Sequence, residues 1–153
     1  MSERSQEALI ARLESSLAKL RAAVESMPAD RAIAVPLSGG WSVLQIVEHL
    51  AIVEERSLGR MKTAEQGSGD PSRDVEIVAF ATDRTSKRQA PEGLHPQGRF
   101  SSLDRALAAV TAGRGETIAF CRTHSPAELA ALVTRHPLFG TLARSSKVIG
   151  ENG

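Results

Sequence analysis

Apolar residues recur at helical spacing along most of the chain, and no stretch alternates as a half-buried strand would. Over residues 5–27, Leu9, Leu13, Leu17, Leu20 and Val24 fall on one side, with Glu and Arg on the other. Strong helix formers dominate this segment, and Pro28 closes it. Pro36-Leu37-Ser38-Gly39-Gly40 is a loop by composition and delivers the chain to Trp41. A second helix is expected over residues 42–65, with Val43, Ile46, Val47, Leu50, Val53, Leu58 and Met61 at helical spacing. Ser42 is its natural N-cap, and Gln45 completes a capping-box pattern.

Gly67-Ser68-Gly69-Asp70-Pro71 breaks the pattern. Residues 74–87 read equally as a short helix or an irregular crossover. Residues 90–98 are too rich in Pro and Gly for anything but a loop, and so long a connection suits parallel neighbours in a bundle. Ser101 or Ser102 caps a further long helix to about residue 123, with Leu103, Leu107, Val110, Thr117, Ile118 and Cys121 on its apolar side. Gly113 and Gly115 each weaken it by about 1 kcal/mol relative to alanine. Ser125-Pro126-Ala127-Glu128 starts a short helix, with proline at the first position, expected to end near Arg135. A turn at residues 136–142 and a polar tail at 143–153 follow. The pattern predicts an all-α protein.

Length changes the picture little: 153 residues suit one domain, 1–153, with a real core. A net charge of +1 gives no electrostatic case for nucleic acid, and 3% aromatics with no tyrosine offers no base-stacking platform. The single cysteine, Cys121, excludes an internal disulfide and any multi-cysteine metal site. No apolar run approaches the roughly 20 residues that span a bilayer. The charged amphipathic start has no signal-peptide core, so the expectation is a cytoplasmic protein with no membrane partner.

Among candidate site residues, His49 leads, because an imidazole turned toward a bundle interior suits zinc, nickel or iron. It nevertheless lies on the flank of the apolar stripe, and a half-buried structural histidine is the competing reading. Glu54 falls near the centre of the second helix's stripe, and Arg114 near the centre of the stripe over 103–121. A buried charge must be paired, so the two are expected to meet; Glu54 assisting a metal is the alternative. His95, His124 and His136 lie in or beside loops, and His136 is biased to an extended conformation by Pro137. Trp41 reads as a hydrophobic staple or as the lip of a pocket. Cys121 reads as a small buried hydrophobe, and no catalytic residue can be singled out.

Gly40-Trp41-Ser42 leading into Glu48-His49-Leu50, followed much later by His136-Pro137-Leu138-Phe139-Gly140-Thr141-Leu142, resembles the DinB-like superfamily. The loop at residues 90–98 looks like that family's crossover, and the resemblance covers about residues 5–142. It implies an up-down-down-up four-helix bundle with a long crossover. It also implies a divalent metal, zinc or nickel, held by one histidine at the position of His49 and by two more in an H-x-x-x-H arrangement on the last helix. Relatives of this kind often dimerise, and include thiol-dependent transferases and hydrolases acting on small molecules.

The chain departs from that pattern where the last two ligands belong: no histidine follows His136. The last helix is therefore expected to be short or degenerate, and the metal triad incomplete, with Glu54 and His136 as candidate partner ligands beside His49. Two functions follow. One is a metal-dependent hydrolase or thiol-dependent transferase. The other is a bundle that has lost its metal and serves as a binding or oligomerisation module. A bundle with a shortened wall exposes apolar faces, so a homodimer is expected.

Overall fold

The computed structural model describes residues 1–66, 89–136 and 140–143, with the backbone alone for 65–66 and from 133 onward. Five helices are described: α1 (Glu3–Glu25), α2 (Ala29–Ile33), α3 (Val43–Lys62), α4 (Leu103–Thr123) and α5 (Pro126–Ala131). A 3-10 turn at Glu92–Leu94 lies in the loop that leads into α4. The long helices start where serine can cap them. Ser2, Ser42 and Ser102 each accept a backbone N–H from the first turn. Ser42 and Ser125 complete capping boxes with Gln45 and Glu128. Helix α2 was not expected; it is a single short turn of chain started by Pro28.

Helix direction follows from who meets whom. The Glu54 carboxylate on α3 meets Arg114 on α4, and Lys62 pairs with Glu116 at 3.5 Å, so α3 and α4 run parallel. The Arg114 guanidinium donates to the Leu13 carbonyl, while Gln6 near the start of α1 donates to carbonyls of Cys121 and His124 at the end of α4. Helix α1 is therefore antiparallel to both. Parallel α3 and α4 require the long crossover between them.

The core has two apolar compartments. One holds Leu9, Leu13, Leu58, Met61, Ile118, Cys121, Leu129 and Leu132; the other holds Val24, Val47, Ala51, Ala106, Leu107 and Val110. Between them lies a polar layer. Arg114 Nε and Nη2 donate to Glu54 Oε1 and Oε2 at 3.0 and 2.9 Å, and Thr117 donates to Oε1 at 2.8 Å. Arg114 Nη1 reaches Leu13 O and Ser16 Oγ at 3.0 and 2.7 Å. One guanidinium thus ties α1, α3 and α4 together, and the expected Glu54–Arg114 pair is present. Gly113 lets it form: a Cβ there would stand 3.0 Å from Glu54 Cγ.

The bundle ends differently from the expectation. Helix α5 stops at Ala131 rather than near Arg135, and three short strands appear that the periodicity did not announce. They are β1 (Glu65–Gln66), β2 (Leu132–His136) and β3 (Gly140–Ala143), antiparallel in the order β1-β2-β3. The physical reasons are local. Leu132 is already extended and buried, Val133 and Thr134 are β-branched, and His136 precedes a proline. The chain is thus an all-α bundle by class, with a small sheet where a last helix was expected to be short or degenerate. The undecided segment 74–87 lies outside the described residues.

Candidate functional site

The site is built at the first turn of α3. Gly39 and Gly40 adopt φ of 79° and 101°, a left-handed backbone that glycine takes without strain. The Gly39 N–H closes a turn on Pro36 O at 2.9 Å. This sharp entry, followed by the Ser42 cap, presents Trp41 over the side of its own helix. There it meets two imidazoles: His49 at 5.1 Å between ring centroids, tilted by 48°, and His95 at 5.6 Å, edge-on at 73°. Gly40, Trp41, Ile46, His49, Gln89, Ala90 and His95 line a pocket of about 530 Å³. None of these lining residues is acidic or basic apart from the imidazoles. Trp41 and Ile46 hold the staple positions, and both face this pocket.

Both imidazoles have a defined tautomer. A carbonyl oxygen only accepts, so His49 Nδ1 carries the proton it donates to Leu94 O at 2.7 Å, and His95 Nε2 donates to Ala90 O at 2.7 Å. In the neutral ring the lone pair is then on the other nitrogen, Nε2 of His49 and Nδ1 of His95. A backbone carbonyl that fixes one ring nitrogen is how proteins orient a histidine whose other nitrogen binds or reacts.

The remaining candidates are elsewhere. Glu54 is 4% exposed in the polar layer, both oxygens engaged by Arg114. His124 stacks on Phe120 at 4.0 Å and bonds to Phe120 O at the end of α4. His136 contributes its backbone to β2, opposite Gly140. Cys121 is buried, and its thiol is pushed up from the ordinary range by desolvation first and by the Glu54 charge second. In the sequence His95 is a loop residue with no legible partner, and Glu48 carries no site expectation. Glu48 is only 1% exposed, and its Oε1 accepts the Gln97 and Arg99 amides at 2.5 and 3.2 Å. Its one legible signal was its place beside His49.

Catalytic zinc takes about three protein ligands. Among the described residues no group of three His, Cys, Asp or Glu is placed to hold a metal. The two lone-pair imidazoles at the pocket therefore do not by themselves make a complete centre.

A family model described as the DinB superfamily matches residues 12–146. The chain belongs to the DinB superfamily. A solved structure similar to this DinB-superfamily chain is YfiT from Bacillus subtilis, described as a probable metal-dependent hydrolase with an unusual four-helix bundle topology. The two share 20% identity with a TM-score of 0.65, over 99% of this chain and 80% of that one. At that identity the likeness is one of fold. A comparison with curated proteins gave no match. Among the described residues, no helix is long and apolar enough to cross a membrane.

Proposed function

We propose that this DinB-superfamily chain is a small-molecule hydrolase or thiol-dependent transferase acting in the Trp41–His49–His95 pocket. The observation that carries the reading is the orientation of His49, a residue that lines the pocket: its Nδ1 is tied to Leu94 O at 2.7 Å, so the lone pair of the neutral ring falls on Nε2. A neutral imidazole so held accepts a proton from water or a thiol, the usual task of a catalytic histidine. Trp41 and Ile46 supply apolar walls that hold a substrate's body, and His95 Nδ1 offers a second acceptor. A zinc or nickel cofactor is the alternative use of the same nitrogen: His49 and His95 would be its imidazole ligands, the Nε2 lone pair of His49 would then be a ligand rather than a base, and the metal would supply Lewis acidity.

One observation favours a second reading, a bundle that has lost its metal and serves as a binding module. Where the resemblance implies a last helix with two histidines, the described residues form β2 and β3. Homodimerisation fits either reading. Ile33, Val35 and Leu37 project just before the pocket's entry turn at 65%, 61% and 110% exposure.

Tag-free protein analysed for metal separates the readings. Retention of about one zinc or nickel per chain, lost in His49→Ala, supports the metal-dependent enzyme. No uptake even from excess metal rejects the metal-dependent form and leaves the imidazole base or the binding module. Small esters and thiols titrated against the emission of Trp41, the single tryptophan, test the pocket itself. Binding should change that emission, and a panel with no response would argue against a substrate site there.

A further inference from the structure

We infer that Glu48 is a positioning residue that holds His95 in the pocket. A carboxylate taken almost wholly out of water is unfavourable unless hydrogen bonds replace its hydration. Here the replacement comes from the loop: the Gln97 and Arg99 amides both donate to Glu48 Oε1. Its neighbour His49 holds the same loop through the Leu94 carbonyl. Two consecutive residues of α3 therefore hold one loop with opposite polarity, a donor toward Leu94 and an acceptor toward Gln97 and Arg99.

His95 lies between these two attachments. Its ring is turned back onto Ala90 O and its edge faces Trp41 at 5.6 Å. A third tether, Arg99 to Glu55 at 3.1 Å, is solvent-exposed and correspondingly weak. Bonds from amides to a buried carboxylate are the strong kind, so Glu48 dominates the seat of this segment. An apolar residue at position 48 would leave two amides without that acceptor and would release His95 from the indole. The inference rests on the reading of this pocket as the functional site. Its test follows the indole rather than turnover, so failure here and failure of that reading are distinguishable.

The full chain is compared with Glu48→Ala, His95→Ala and the double variant by acrylamide quenching of Trp41. If Glu48 acts by placing His95, each single variant exposes the indole by the same factor, and the double variant by no more than either. Wild-type quenching in a folded Glu48→Ala, or additive effects in the double variant, overturns the inference. Should Glu48→Ala not fold, Glu48→Gln decides. Its amide oxygen still accepts but without charge, so exchange at the Gln97 and Arg99 amides should quicken about fivefold while α4 amides stay unchanged. Unchanged exchange at those two amides overturns the inference equally.

Discussion

Arg114 shows what a single side chain does in this molecule. Its side chain is 7% exposed, and its guanidinium donates to Glu54, Leu13 O and Ser16. Removing one partner strands the other charge in the core. Glu54→Ala should cost about 3–5 kcal/mol by chemical denaturation, whereas Glu54→Leu with Arg114→Met should recover most of that loss. A double variant as unstable as the single one would mean that the pair is worth more than apolar packing here. Cys121 borders the same layer. Burial and the nearby Glu54 charge raise its thiol's titration, so the folded state favours the neutral thiol. That contribution is fully present below the unfolded thiol's titration and is lost as pH rises through the raised folded one. Ellman's reagent at mildly alkaline pH should therefore label Cys121 only at the rate of opening, and at once in denaturant; immediate labelling of folded protein would contradict its burial.

At the scale of elements, what was local in the chain was legible. The caps at Ser42, Ser102 and Ser125 depend on residues three apart, and the sequence shows them directly. The Glu54–Arg114 pair was legible because two charges at the centres of two apolar stripes have nowhere else to go. The strands were not, because pairing of β1 with β2 joins segments far apart in the chain. His95 and Glu48 were hidden for a related reason. Their partners are backbone atoms of a loop, and amides and carbonyls carry no sequence signature. Gly113 looked like a defect of α4 and turns out to make room. Gly113→Ala gains about 1 kcal/mol of helix propensity but presses a methyl against Glu54, whose carboxylate is held by Arg114 and Thr117 and cannot yield. The net effect should be a lower Tm; a higher one would show the ion pair to be more pliant than its bonds imply.

The whole molecule is a bundle with antiparallel α1 against parallel α3 and α4, and the proposed site lies where the loop at residues 89–98 meets the first turns of α3. The same end carries the exposed apolar run of Ile33, Val35 and Leu37. Light scattering at micromolar concentration should return twice the 16.3 kDa chain mass, and Leu37→Glu should return the monomer. A monomeric wild type would remove the dimer from the account. The claim on which the account turns is that His49 acts as the base of a pocket site. It is tested most directly by turnover of a panel of small esters, amides and thiol-transfer pairs by wild type and by a His49→Ala variant of matched thermal stability. The account predicts that the activity found in wild type falls by about 100-fold or more in the variant. Undiminished turnover without His49 would contradict it.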